Sequence, residues 1–126
     1  MLNKKKVLVV EDDIILAMID KLYLQKIGCE VVGMVTNATD AVKAVHEQSP
    51  DLILMDIRID GDRDGIMAME EIRLFSQVPV IYFSGNSEVH MRQRALETGM
   101  LGFLVKPLDL DALKILVDLI PSKNQN

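Results

Sequence analysis

Several features that would narrow the function quickly are missing from this chain. Cys29 is the only cysteine among 126 residues. No disulfide can form within the chain, and a lone thiol fits a reducing, cytoplasmic setting. Basic residues are the minority, with 14 Lys and Arg against 19 Asp and Glu for a net charge of −5. Nucleic-acid footprints are basic, so direct nucleic-acid binding by this domain is not expected. No apolar stretch approaches the roughly 18 residues of a membrane span. The lysines at 4–6 lead into a strand-length run that stops at Glu11. Neither a transmembrane helix nor a signal peptide is expected, and no membrane association follows. GxGxxG and P-loop patterns are absent, as are internal repeats, low-complexity tracts and linkers. Residues 1–121 therefore read as one domain, with a polar tail at 122–126 expected to fray.

What is present is ordinary globular composition, 49% hydrophobic and 26% charged, arranged in a regular alternation. Short apolar runs fall at 7–10, 31–35, 52–55, 79–83 and 102–105. They do not alternate with polar residues, as expected of strands buried on both faces. Between them the spacing is helical. Ile15, Ile19 and Leu22 share one face, as do Ala38, Ala41, Val42 and Val45. Ile66, Met69 and Ile72 follow at steps of three, and Leu110, Leu113, Leu116, Val117 and Ile120 group together. Asn37 or Thr39, Ser87 with Glu88, and Asp109 are candidate N-caps, and Gly28 and Gly99 candidate stops. Five βα units with right-handed crossovers give an α/β fold, a doubly wound five-stranded parallel sheet with helices on both sides. The segment 87–98 has only a thin apolar face, mainly Val89, Met91 and Ala95, which suits a solvated edge helix or a marginally packed element able to shift.

The chemistry lies at the strand ends. KVLVV runs into Glu11 and Asp12, LILM into Asp56, PVIYF into Ser84, and GFLV into Lys106 and Pro107. Parallel strands point one way, so these residues meet at the edge where open α/β sheets bind ligands. Singly, each has a bland explanation. An acid after a strand caps the next helix, as Asp13 is expected to do, and a Lys-Pro pair is a common turn. Together, three carboxylates, a hydroxyl and an ammonium make the site of a phosphoryl acceptor that uses a hard metal ion. Asp56 is suited to attack phosphorus and form an acyl phosphate. Mg²⁺, or Mn²⁺, would take oxygen ligands from Asp12 and Asp56, with Glu11 holding a metal-bound water. Lys106 pairs with phosphoryl oxygens, Ser84 donates to one of them, and Gly85 leaves room for the group.

The arrangement resembles the receiver domain of two-component response regulators over essentially the whole chain. The resemblance rests on VLVVEDD, LILMDI, VIYFSG and GFLVKP. It implies a flavodoxin-like fold with strand order 2-1-3-4-5. Glu11 and Asp12 become the acidic pair, Asp56 the phosphorylated aspartate, Ser84 the hydroxyl position and Lys106 the basic partner. The carbonyl of Arg58 becomes a third protein ligand to Mg²⁺, and the Lys106–Pro107 bond becomes cis. Phe103 matches the aromatic switch position, expected to turn from outward to inward as Ser84 is drawn in. The implied role is a phosphoacceptor switch that receives its phosphoryl group from a histidine kinase or phosphotransfer protein. It would catalyse only its own phosphorylation and dephosphorylation. Residues 87–120 would be read by an output partner or a second copy. The chain departs from the commonest family pattern after Asp56, where IRIDGDRDG lacks a proline and appears one residue longer.

Other classes compete. Asp60, Asp62, Asp64, Gly65 and Glu71 match the spacing of a twelve-residue EF-hand calcium loop, although a strand leads into it where an EF-hand needs a helix. An Mg²⁺-dependent phosphatase of the haloacid-dehalogenase type shares the aspartyl nucleophile. It usually needs a second Asp two residues on, where this chain has Arg58. A flavodoxin-type carrier would place FMN phosphate against Glu11-Asp12-Asp13, which repels it.

Overall fold

In the computed structural model, which describes residues 4–85 and 89–121, the alternation is realised as five βα units. In chain order these are β1 (Lys6–Val10), α1 (Ile14–Lys26), β2 (Glu30–Val35), α2 (Ala38–Gln48), β3 (Leu52–Asp56), α3 (Gly65–Ile72), β4 (Val80–Ser84), α4 (Val89–Glu97), β5 (Gly102–Val105) and α5 (Leu110–Asp118). The sheet is parallel throughout, in the order β2-β1-β3-β4-β5. The order matches expectation, and strand limits shift by no more than a residue at either end. The largest consequence is that Asp56 and Ser84 are the last ladder residues of β3 and β4 rather than the residues just beyond them.

Every residue of β3 and β4 is buried, because helices cover both faces. Alternation within each strand sends side chains to two separate cores. Leu8, Val10, Ile53, Met55, Val80 and Tyr82 meet α2 and α3, whereas Val7, Val9, Leu52, Leu54, Ile81 and Phe83 meet Leu24 of α1 and Leu113 and Val117 of α5. Each fully buried aliphatic side chain contributes about 1.5–3 kcal/mol. The predicted faces of α2, α3 and α5 pack inward.

Helix starts follow the polar residues that precede them. Asp13 accepts from the backbone N–H of Ile15 and Leu16, Asn37 from Asp40, Asp64 from Met67, and Asp109 from Asp111. Asn37, not Thr39, is thus the cap of α2. Gly28 and Gly99 end their helices at φ of 89° and 77°, where a side chain would be strained. The cap expected at Ser87 and Glu88 and the tail at 122–126 lie outside the described residues.

Two expected faces are corrected. Ile15, Ile19 and Leu22 face outward, at 67%, 38% and 63% exposure, while Ala17, Asp20 and Leu24 are buried. α1 is apolar on almost every side, so spacing could not select its inner face. Its rotation follows from Asp13 capping it directly after Glu11 and Asp12. In α4, Ala95 is buried and Met91 partly so, but Val89 is exposed. The inward face is thinner than expected.

Candidate functional site

The carboxyl ends of β1, β3, β4 and β5 gather Glu11, Asp12, Asp56, Ser84 and Lys106. Glu11 follows β1, its N–H donating to the Val35 carbonyl at 2.9 Å and its Oε2 accepting from the Asp13 N–H at 3.1 Å. Glu11, Asp56 and Ser84 are buried, and Asp12 is exposed. The backbone N–H of Arg58 donates to Asp56 Oδ1 at 3.2 Å, and the Arg58 side chain points to solvent. Backbone bonding places the lysine too: Lys106 N–H donates to the Ser84 carbonyl at 2.8 Å. The Lys106–Pro107 bond is cis, as the resemblance implies.

Lys106 Nζ bridges two carboxylates, donating to Asp56 Oδ2 at 2.9 Å and Glu11 Oε1 at 3.1 Å. The ammonium also lies 5.1 Å from the centre of the Phe83 ring. Burial, then hydrogen bonding to the Asp56 carboxyl, pushes Glu11 up to about 8, against the Asp13 N–H and Lys106, which pull it down. Burial alone would lower the Lys106 ammonium, but its bonds to Asp56 and Glu11 outweigh that and raise it.

Glu11, Asp12 and Asp56 each bring a carboxylate oxygen within 4.8 Å of the others. Three hard oxygen donors, one of them open to solvent, fit a small divalent cation that keeps several of its waters. They do not suit a soft metal, which takes thiolate or imidazole.

Gly65 has a role its EF-hand reading concealed. Its N–H donates to the Ile57 carbonyl at 2.7 Å, and a Cβ on it would lie 2.2 Å from the Asp56 carbonyl oxygen. Only glycine lets α3 start this close to Asp56. The calcium reading itself fails on geometry. Asp64 caps α3 and pairs with Arg94 at 3.0 Å, while Glu71 lies within α3, bonded to Arg63 at 2.5 Å. Among the described residues, only Glu11, Asp12 and Asp56 converge on a possible metal position.

Phe103 is already turned in, 9% exposed, its ring centre 6.4 Å from that of Tyr82 and 4.9 Å from the Arg92 guanidinium. The expected outward resting position is therefore not the one seen. Sequence reasoning also missed the polar tie beneath α4. Tyr82 Oη and Thr98 Oγ1 share a 2.7 Å hydrogen bond, Thr98 Oγ1 donates to the Ala95 carbonyl, and Arg73 Nε donates to the Thr98 carbonyl. Burial, more than any partner, pushes the Tyr82 phenol up to about 12. No local spacing marks this cluster, since its members lie up to 25 residues apart.

Comparison with known proteins agrees with this geometry. Residues 7–118 match the family model of the response regulator receiver domain. The chain is 37% identical over 110 residues to the transcriptional regulatory protein ZraR of Klebsiella oxytoca, covering 86% of this chain and 24% of ZraR. It is 30% identical over 119 residues to the transcriptional regulatory protein PdtaR of Mycobacterium tuberculosis, covering 94% of this chain and 58% of PdtaR. Over 107 residues it is 36% identical to the chemotaxis protein CheY of Bacillus subtilis, covering 84% and 88%. The chain thus spans about a quarter of ZraR, just over half of PdtaR and most of CheY. The signal receiver domain of a modulated diguanylate cyclase from Desulfovibrio desulfuricans superposes with a TM-score of 0.86 at 28% identity, covering 94% of each chain. The BeF3-activated receiver domain of Klebsiella pneumoniae RstA gives 0.83 at 25% identity, covering 91% and 97%. Strand order and family match agree: the chain belongs to the response regulator receiver domain family.

Proposed function

We propose that Asp56 is the phosphoacceptor of this signalling switch. The observation that carries the assignment is the double hydrogen bond from Lys106 to Asp56 and Glu11 at the end of a buried strand. The Arg58 N–H holds Oδ1 while Lys106 holds Oδ2, which fixes the Asp56 carboxylate plane. One Asp56 oxygen attacks phosphorus, the bond from phosphorus to the donor's nitrogen or oxygen breaks, and an acyl phosphate forms. Asp12, Asp56 and the Arg58 carbonyl, with Glu11 beside them, would hold Mg²⁺ or Mn²⁺, which when bound would supply positive charge to the transferring group. Lys106 pairs with the new phosphoryl oxygens, and Ser84 Oγ donates to one of them. The chemistry is confined to the protein's own phosphorylation and dephosphorylation.

The phosphoryl group is read through the α4–β5–α5 side. Drawing Ser84 inward moves the start of the segment leading to α4, whose inner face rests on Ala95 and Met91. Phe103 and Arg92 repack with it. A histidine kinase or phosphotransfer protein supplies the group, and an output partner or second copy reads residues 87–120. The setting is cytoplasmic; no helix among the described residues is long and apolar enough to cross a membrane. Intact-mass measurement after acetyl phosphate and Mg²⁺ tests the assignment. One phosphoryl addition is expected in the parent and none in Asp56→Asn. Undiminished labelling of Asp56→Asn would refute it.

A further inference from the structure

A fourth carboxylate near the site has no assigned task in phosphoryl transfer. Asp20 is in the middle of α1, 3% exposed, on the face with Ala17 and Leu24. Its Oδ2 has no hydrogen-bond partner. A buried carboxylate without a partner is costly, and a polar or apolar neutral residue there would cost less. It lines a cavity of 190 Å³ between α1 and the turn after β5. The other walls are Leu16, Ile19, Tyr23, Phe83, Lys106 and the Pro107–Leu108 turn. That volume lies below the ~300–1,000 Å³ of sites for drug-sized ligands and suits one side-chain-sized group.

The lining has a definite chemistry. It is mostly apolar, with one carboxylate, one ammonium and the Tyr23 phenol. The ammonium is already committed, since Lys106 Nζ donates to Asp56 and Glu11. Asp20, Asp56, Glu11 and Asp12 therefore outnumber the one cation bonded among them, and the local field favours a further positive charge. The Tyr23 ring adds an aromatic wall on which a cation can rest. An anion would meet Asp20 without compensation, and a neutral apolar group would leave Oδ2 as it is.

We propose that this cavity is a binding site for a single organic cation, an ammonium or guanidinium on a short apolar stem, held by Asp20. The head pairs with Asp20 Oδ2, and the stem lies on Leu16, Ile19 and Leu108. Two sources carry this chemistry, a small free amine and a lysine or arginine side chain of a docked protein. Binding here requires no phosphoryl transfer and is tested without it.

The experiment is an amide chemical-shift titration of the ¹⁵N-labelled chain with benzylammonium chloride, and with uncharged benzyl alcohol as the matched control. Saturable shifts at Asp20, Tyr23 and Leu108 are expected with the cation, at least tenfold weaker with the alcohol. Asp20→Asn should weaken cation binding at least tenfold while keeping the parent spectrum elsewhere. Ile19→Trp, at a half-exposed position on the cavity wall, should block binding with Asp20 intact. Nα-acetyl-lysine amide and Nα-acetyl-arginine amide separate the sources. Binding as strong as benzylammonium identifies a protein side chain, and binding by the free amine alone identifies a small molecule. Equal shifts from benzyl alcohol, or undiminished cation binding by Asp20→Asn, would overturn the proposal.

Discussion

Removing the Asp20 charge should stabilise the fold, and the gain should depend on pH in one direction. Burial pushes this carboxyl from an ordinary 3.8 up to about 7, with Lys106 lowering it and Asp56 raising it. At about 1.4 kcal/mol per pKa unit, a shift of roughly three units costs the ionised folded state up to about 4 kcal/mol. The cavity beside Asp20 admits water, which screens the charge, so a net penalty on the order of 2 kcal/mol is the better figure. Below about pH 4 the group is protonated in both states and the penalty is absent. Between about 4 and 7 the unfolded chain has lost its proton and the folded one has kept it. The folded state then binds more protons, so stability falls as pH rises, and the full penalty stands above about 7.

The assay is urea unfolding of the parent and Asp20→Asn at pH 4.5 and pH 8, in EDTA. The asparagine amide brings buried donors of its own, at a cost of about 1 kcal/mol. Asp20→Asn should therefore be about 1 kcal/mol more stable than the parent at pH 8, and level with it or slightly weaker at pH 4.5. Asp20→Leu, free of the amide and able to fill the cavity, should gain more. Glu11 titrates in a neighbouring range, near 8, so the comparison is repeated in Glu11→Gln to isolate Asp20. A stability difference that does not change with pH, or an Asp20→Leu less stable than the parent at pH 8, would refute the buried-charge argument.

Other perturbations address the site and its supports. Mg²⁺ should raise the thermal midpoint of the parent by mass action, and Asp12→Ala should abolish that response in the same scanning assay; an unchanged response would remove Asp12 from the ligand set. Gly65→Ala forces a Cβ to within 2.2 Å of the Asp56 carbonyl and should cost about 1–3 kcal/mol in urea unfolding, together with slower phosphorylation. Asp64→Ala should cost about 1 kcal/mol through the lost helix cap, whereas Arg94→Ala, removing only a half-exposed ion pair, should stay within about 0.5 kcal/mol.

The parts of this molecule legible from sequence are those fixed by short-range rules. Strands such as LILM and VIYF are apolar without alternation, which occurs only when both faces are covered. The strand count and parallel arrangement follow, and with them the meeting of Glu11, Asp12, Asp56, Ser84 and Lys106, while the strand order came from the family resemblance. Helix starts were legible where Asp13, Asn37 and Asp109 stand before a periodic run. What failed were inferences that needed a rotation or a distance. α1 carries Ile14, Ile15, Leu16, Met18, Ile19, Leu22 and Leu24 around most of its circumference, so periodicity allowed more than one inner face. The buried one contains Asp20, which hydrophobicity alone would have placed outside. The acidic loop failed similarly. Spacing alone aligned Asp60, Asp62, Asp64 and Glu71, but helix α3 begins at Gly65 and carries Glu71 away to Arg63.

That failure at α1 and the success at the strand ends have one cause. At the sheet edge, backbone geometry dictates where each side chain goes. The Glu11 N–H is bonded to Val35, the Lys106 N–H to Ser84 and the Gly65 N–H to Ile57. These bonds hold the charges together whether or not they repel. Among the described residues a single ammonium bonds to both Glu11 and Asp56, with Asp12 exposed beside them and Asp20 behind. Burial first, and then the Asp56 carboxyl beside it, push Glu11 up to about 8. The edge is thus short of positive charge by construction, and two places on the chain can accept more. One is the mouth between Asp12 and Asp56, where three carboxylate oxygens converge. The other is the apolar cavity behind Lys106, where a lone carboxylate waits for a partner. The first suits a compact hydrated dication and the second an organic one, because the mouth opens to solvent and the cavity is lined mostly by apolar side chains. Lys106 forms a wall of one and bonds to the carboxylates of the other, so a cation bound at either must alter the field that positions it.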